Sequence, residues 1–384
     1  MNIGIVGVGR LGIAYALALE QQGFSVFASS YKADYIESLK EKKIESNEPG
    51  IQEMLAASKN IHFTTDNHEI IKYCDMIYVM VATPSTDYGD YDVSAVRDVA
   101  NDFLTHTGGV KNKILIVGST VNPGTCTELQ GLLDPLEVHV VYCPTFVAQG
   151  SVLKDIANPH TFSLGTNNKE VADSCKNVFS KLITPDTPMY QMHPTTAEIL
   201  KLAGNCRATM EISYFNLVGQ ILIKSGVSDD MGTANKYLNF IKKSQQWKFG
   251  FGFGGPCYPR DNNAFVHYAE KIGIDFSIGK VVDQINNSHV DFLTQYFLSN
   301  NTDSLPFYFD YVSYKKGVNI FEESHQLKLC KKLLESGAKV YIEPSVYLLP
   351  IIVEELKQQF SHNVEFISHK NLAQQNINVY NVEI

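Results

Sequence analysis

The chain opens on an apolar run, Asn2-Ile-Gly-Ile-Val6, which enters Gly7-x-Gly9-x-x-Gly12 and an Ala- and Leu-rich stretch, Leu11–Gln22. No other feature restricts the fold as much. A strand, a glycine turn and a helix in that order form the first unit of an open α/β sheet that holds a dinucleotide. Gly7 makes the tight turn, Gly9 lets backbone approach the pyrophosphate, and Gly12 packs helix on strand, while the helix N-terminus stabilises the phosphate charge. Arg10 and Leu11 lie within the same turn and are expected beside the cofactor.

The alternation continues. Ser25–Ser29 reads as a strand and Ala33–Lys42 as a helix; Asp75–Val81, Lys113–Val117 and Val138–Tyr142 are continuous apolar strands, with Val93–Thr105 helical. Continuous rather than alternating apolar strands indicate a parallel sheet covered on both faces. The expectation is a doubly wound Rossmann domain over residues 1–194. Residues 195–300 turn helical, with Ala197–Ser225 a long spine stopped by Gly226. Alternation then resumes in Pro306–Val312, helix Ser324–Ser336, strand Ala338–Ile342 and helix Val346–Gln358, which predicts a smaller, short Rossmann-like α/β domain over 301–384. A chain of 384 residues exceeds the size at which one core usually divides.

Two further segments carry chemistry. The second strand ends in Ser29-Ser30-Tyr31-Lys32, where NAD binders usually place an acid. A carboxylate there accepts from the 2′-hydroxyl and repels a 2′-phosphate, whereas Ser30 with Lys32 does the reverse. NAD and NADP both stay open, with Asp34 or backbone groups as the alternative hold on an NAD ribose. Residues 250–261 read Gly-Phe-Gly-Phe-Gly-Gly-Pro-Cys-Tyr-Pro-Arg-Asp. The glycines let backbone fold tightly and approach a ligand. A helix starting near Pro259 would set Asp261 about one turn from the Cys257 thiol. Alone, such a loop reads first as a turn around a buried, inert cysteine. Joined to a nucleotide site, it suggests oxidation through a covalent thiol intermediate.

Composition narrows the classes. Seven cysteines without close pairing suit a reducing compartment better than a disulfide framework. A net charge of −9 argues against a nucleic-acid backbone as partner. No apolar run approaches the ~20 residues of a membrane span. The first strand begins at Asn2 without a basic leader, so a cytoplasmic address and no membrane partner are expected. The eleven histidines show no pairing of the kind that holds a metal, so none is expected.

Several separate motifs then occur in order. They are Gly7–Gly12, Asn47-Glu-Pro-Gly50, Ala82-Thr-Pro84 with Asp92, Ser119-Thr-Val-Asn-Pro-Gly-Thr125, Cys143-Pro-Thr-Phe146, Thr196-Ala-Glu-Ile-Leu-Lys201 with Asn205, and the 250–261 loop. In these the chain resembles, end to end, the UDP-glucose/GDP-mannose dehydrogenase family. The resemblance implies an N-terminal Rossmann domain, a central helical region that dimerises, and a C-terminal domain that holds a nucleotide sugar. It implies oxidation of the sugar's C6 alcohol to a carboxylate with two NAD per turnover. Cys257 would trap the aldehyde as a thiohemiacetal, a second hydride transfer would give a thioester, and water would release the acid. Lys201 would stabilise thiolate and oxyanion, Asn205 would add a hydrogen bond, and Asp261 and Thr120 would position or activate water. Thr83, Pro84 and Thr120 would line the cofactor. Thr145, Phe146, Gln149, Lys201, Asn205, Gln246, Gly250, Gly254 and Lys315 would meet the substrate.

The chain also departs from the family. Two family glutamates are Thr145 and Gln149 here, and neither replacement titrates near neutral pH. Arg260 stands for a lysine, and Glu322-Glu323-Ser324 replaces an Arg-Glu-Ser run. Three outcomes follow: a full 6-dehydrogenase, an enzyme that makes one two-electron oxidation or uses another alcohol, and a non-catalytic binder of cofactor or nucleotide sugar.

Overall fold

The computed structural model describes residues 1–242 and 248–384, which form two compact units, Met1–Leu202 and Ala203–Ile384. The first is built on an eight-stranded sheet: β1 (Asn2–Val6), β2 (Ser25–Ser29), β3 (Ile61–Thr64), β4 (Met76–Val79), β5 (Ile114–Val117), β6 (His139–Tyr142), β7 (Phe162–Gly165) and β8 (Met189–Met192). The spatial order is β3-β2-β1-β4-β5-β6-β7-β8. The first six strands are parallel and run outward in both directions from β1 and β4. That reversal of strand order is the doubly wound arrangement, and it opens a crevice at the carboxyl ends of β1 and β4. β7 and β8 are parallel to each other but join β6 antiparallel, through Tyr142 and Gly165.

The apolar strands are buried as expected. All four residues of β4 and of β5 are buried, because helices cover both faces of the sheet. β1 and β2 keep the expected bounds, while β4, β5 and β6 are shorter than the apolar runs that contain them. Asp75–Val81 contracts to Met76–Val79, since beyond Val79 the neighbouring strands have already turned into loops. Helix Arg10–Gln21 buries Ile13, Ala14, Leu17 and Leu19 against the sheet. β3, β7 and β8 add to the strands expected from the sequence, and Tyr190 and Gln191 in β8 are exposed, so no apolar run marks it.

The second unit pairs helices with a four-stranded parallel sheet, order β11-β10-β9-β12, from β9 (Phe307–Phe309), β10 (Val340–Ile342), β11 (Val364–Phe366) and β12 (Tyr380–Asn381). One core joins the sheet to helix Ser277–Asn300 through Val290, Leu293, Phe297, Phe307, Phe309 and Leu333. The helix expected from Val346 begins instead at Pro350, at whose first turn proline is favoured while the preceding residue is pushed to extended backbone. The long helix, Pro194–Lys224, starts three residues before the expected Ala197, and the division between the units falls within it.

Candidate active site

Four motifs of the first unit, Gly7–Gly12, Ala82–Pro84, Ser119–Thr125 and Cys143–Phe146, follow the carboxyl ends of β1, β4, β5 and β6. Gly7 leaves β1 at φ +94°, and a Cβ there would sit 2.6 Å from the Met80 carbonyl oxygen. A Cβ on Gly12 would overlap the Gly7 carbonyl oxygen, so helix Arg10–Gln21 can lie this close to the turn only with glycine there. At Gly9 the position of a Cβ meets nothing within 4 Å. Two glycines are thus demanded by packing, and the third faces open space at a helix N-terminus. A pyrophosphate could settle on that backbone, so the residues present fit a dinucleotide. Gly7 N and Val8 N donate to the Ser29 carbonyl at 3.0 and 2.8 Å, which ties the turn to the end of β2.

Beyond β2, the Lys32 amide donates to Ser30 Oγ at 3.3 Å, and the exposed Lys32 ammonium lies 5.7 Å from the Tyr31 ring centroid. Ser29 is buried and its hydroxyl is committed to Asn67 Oδ1 at 2.7 Å. No carboxylate occurs among Ser29–Lys32. After β4, Thr83 is buried and Pro84 exposed; after β5, Ser119 Oγ donates to Val81 O at 2.7 Å and Thr120 is half-buried.

The segment after β6 is held from several sides. Lys201, on the long helix, is buried; its ammonium donates to the Thr145 carbonyl at 3.1 Å and lies 4.5 Å from the Phe146 ring centroid. A cation against an aromatic face and a carbonyl is partly compensated for lost hydration. Gln149 Oε1 accepts from Arg10 Nη1 at 3.4 Å. Glu48, from the Asn47–Gly50 motif, accepts from Gly150 N at 2.8 Å, and Asp155 accepts from Ala148 N at 2.8 Å. Both of these carboxylates are therefore engaged with backbone amides of the loop. Glu198 is fully buried and accepts from Gly124 N at 2.6 Å and Cys126 N at 2.8 Å, capping helix Thr125–Leu133. Burial raises its pKa, and the two amide bonds oppose that rise. Reading the motifs had assigned no role to Glu48 or Glu198; an acid between Ala197 and Leu202 on an apolar helix face was the available signal.

In the second unit, Cys257 is the N-cap of helix Tyr258–Lys271. It is exposed, while the other six cysteines are buried. Burial pushes Cys74, Cys175, Cys206 and Cys330 up to about 12, and Cys126 and Cys143 are raised as well, so those thiols stay protonated and inert. Asp261 lies one turn inside the helix, its amide donating to the Cys257 carbonyl at 2.8 Å. Its buried carboxylate accepts from Asn205 Nδ2 at 2.5 Å. The neighbouring Tyr258 phenol is raised by burial, then by the charges of Cys257 and Asp261.

Gly254 and Gly255 precede the thiol. A Cβ on Gly254 would collide with the Glu323 carbonyl oxygen, and Gly255, at φ +80°, donates its amide to Glu322 O at 3.0 Å. The acidic run thus supports the loop through backbone, while both glutamate side chains are exposed. Lys315 is exposed on the loop after β9, and Ser313 Oγ donates to its carbonyl. Gln246 lies outside the described residues. Among the described residues, no cluster of three or more His, Cys, Asp or Glu could hold a metal, and no helix is long and apolar enough to cross a membrane.

Comparison with known proteins gives a consistent answer. Residues 1–183 match the NAD binding domain of the UDP-glucose/GDP-mannose dehydrogenase family, and residues 195–288 match its central domain. The chain is 27% identical over 296 residues to the UDP-glucose 6-dehydrogenase YwqF of Bacillus subtilis, an alignment covering 75% of this chain and 66% of that protein. It is 26% identical over 355 residues to the GDP-mannose 6-dehydrogenase of Pseudomonas syringae, covering 88% and 79%. Over a second Bacillus UDP-glucose 6-dehydrogenase, TuaD, the chain spans 62% of the length. The structure of a UDP-glucose dehydrogenase from Pyrobaculum islandicum superposes with a TM-score of 0.82, at 23% identity, over all of this chain and 90% of that one, a likeness of fold.

Proposed function

The chain belongs to the UDP-glucose/GDP-mannose dehydrogenase family, and from that premise we propose that it oxidises the C6 alcohol of a UDP- or GDP-hexose through a covalent intermediate on Cys257. The observation that carries this reading is the contrast among the thiols, with six buried and raised and Cys257 exposed at a helix N-terminus. A thiol placed there can meet a ligand, which the six buried thiols cannot.

A nicotinamide dinucleotide held at the Gly7–Gly12 turn would supply the hydride acceptor. The chain supplies the rest. The Gly7–Gly12 turn with Arg10, Leu11, Thr83, Pro84 and Thr120 binds and orients the dinucleotide. Thr145, Phe146, Gln149, Gly250, Gly254 and Lys315 contact the nucleotide sugar. Cys257 Sγ adds to the C6 aldehyde, forming a C–S bond, and the resulting oxyanion is stabilised by Lys201 and by the second N–H of Asn205. After the second oxidation, water adds to the thioester carbonyl and the thiolate leaves. Asp261, already bonded to Asn205, orients that side chain, and Thr120 holds a water toward the cofactor side.

The same reading makes the cofactor NAD or NADP. Ser30 and the Lys32 ammonium support acceptance of a 2′-phosphate, and a kcat/KM ratio clearly favouring NAD would remove the NADP alternative. Residues 195–300 are proposed as the dimerising region and 301–384 as the nucleotide-sugar domain. Tyr214, Leu217 and Ile221, exposed at helical spacing on the long helix, support a homodimer. A cytoplasmic address remains part of the proposal.

A second reading rests on Thr145 and Gln149. The loop after β6, Cys143–Gly150, carries no acid of its own, and Glu48 and Asp155 serve to hold its backbone, which favours an enzyme that stops at the aldehyde or uses another alcohol. One experiment decides. Purified protein is given UDP- and GDP-sugars with each cofactor, and reduced cofactor is counted per product. Two equivalents with a carboxylate support the full cycle, and one supports the second reading. No turnover by wild type, or turnover unchanged in Cys257→Ser, would leave a binding protein or a different nucleophile.

A further inference from the structure

The loop that leads to Cys257 is gripped by a buried polar network that the proposed chemistry does not use. Asn216 Oδ1, on the long helix, accepts from Gly250 N at 3.1 Å. His289 Nε2 donates to the carbonyl of the same residue at 2.7 Å. Since a carbonyl only accepts, Nε2 carries the proton and Nδ1 accepts from Gln220 Nε2 at 2.8 Å. Asn286 forms two bonds to Phe253, its Oδ1 accepting from the amide and its Nδ2 donating to the carbonyl, each at 2.9 Å. His325 Nε2 donates to the Asn286 carbonyl at 3.1 Å. Asn216, Asn286, His289 and His325 are all buried.

Buried polar side chains are costly to leave unpaired, and here most of their bonds end on loop backbone, although His325 Nδ1 finds no partner. The glycines make the grip possible. A Cβ on Gly252 would run into Asn286 Oδ1 and the His325 ring, so the loop fits under these groups only as glycine. Phe249 and Phe253 fix it on the apolar side, both buried. Four residues beyond the last gripped position, Phe253, the chain reaches Cys257.

We infer that Asn216, His289 and Asn286 are positioning residues. They clamp the backbone at Gly250 and Phe253, and so set where the Cys257 loop presents its thiol. The inference rests on the proposed role of Cys257 only where turnover is the readout.

The test has two arms. In wild-type protein without ligand, amide hydrogen exchange at Gly250 and Phe253 should be as slow as in the middle of helix Ser277–Asn300. In His289→Leu, exchange across 250–255 should quicken at least about tenfold while the first unit's sheet is unchanged, because an apolar side chain leaves both Gly250 O and Gln220 unpaired. In the turnover arm, His289→Leu should lower kcat about tenfold or more with KM for the dinucleotide unchanged. His289→Gln, which can still donate to Gly250 O, should recover most of the loss in both arms. A merely structural role would lower thermal stability without that split between Leu and Gln. Should His289→Leu not fold, Asn216→Ala removes only the acceptor for Gly250 N and reads the same quantities. Fast exchange at Gly250 and Phe253 in wild type would overturn the clamp, as would folded His289→Leu with wild-type exchange and kcat. Slow exchange in a protein with no dehydrogenase turnover would instead leave the clamp standing and defeat the proposed function.

Discussion

Asn205 donates to Asp261 across 2.5 Å, joining the long helix to the helix that Cys257 caps. The carboxylate is buried, and its own amide is bonded to the Cys257 carbonyl. One bond thus links the carboxamide proposed for the oxyanion to the element that carries the thiol.

If Asp261 acts by holding Asn205, the two residues form one unit. Asp261→Asn and Asn205→Ala should each lower kcat about tenfold to a hundredfold, and the double variant should lose little more than either alone. An additive double variant, with an acyl-enzyme mass accumulating only in Asp261→Asn, would assign the aspartate to water activation instead.

The glycine turn separates packing from binding. Gly12→Ala, whose Cβ would overlap the Gly7 carbonyl oxygen, should destabilise the first unit by about 2 kcal/mol or more. Gly9→Ala enters open space and should leave the melting temperature nearly unchanged while weakening dinucleotide binding about tenfold. Thermal melts paired with cofactor titrations check both. Equal stability losses would mean that Gly9 serves the fold.

Cofactor choice should lie in Ser30 and Lys32. An acid at the end of β2 accepts from a ribose 2′-hydroxyl and repels a 2′-phosphate, so Ser30→Asp with Lys32→Glu should shift the NAD to NADP ratio of kcat/KM toward NAD by about a hundredfold. An unmoved ratio would place discrimination elsewhere.

The second unit should be acid-labile. Burial lowers the pKa of His289 and takes His325 down to about 3, so both are neutral in the native state. In the unfolded chain they titrate at ~6.5. Below that value the unfolded state binds more protons, and stability falls as pH drops, with no penalty above it. For His325 alone the loss is about 2 kcal/mol at pH 5. Urea midpoints between pH 7.5 and 5 should decline, and His325→Gln should flatten the decline. A slope unchanged in that variant would show that other groups set it.

What the residues alone determined is what contiguous chain encodes. The Gly7–Gly12 turn, the continuous apolar strands β4 and β5 and the long helix are each written in neighbouring residues, through backbone restrictions and the periods of helix and strand. The thiol loop was legible for the same reason, and so was its candidate chemistry. Local pattern does not carry the partners that a side chain finds far along the chain. Glu198 caps a helix more than 70 residues away, and Asn286 and His289 hold backbone more than 30 residues upstream. In sequence Lys201 and Asn205 are two polar residues one helical turn apart; folding buried the one against Phe146 and bonded the other to Asp261. Seven cysteines are equivalent as letters. Only the tertiary structure removed water from six of them and left Cys257 exposed, because desolvation depends on what packs around a thiol and not on its neighbours in sequence.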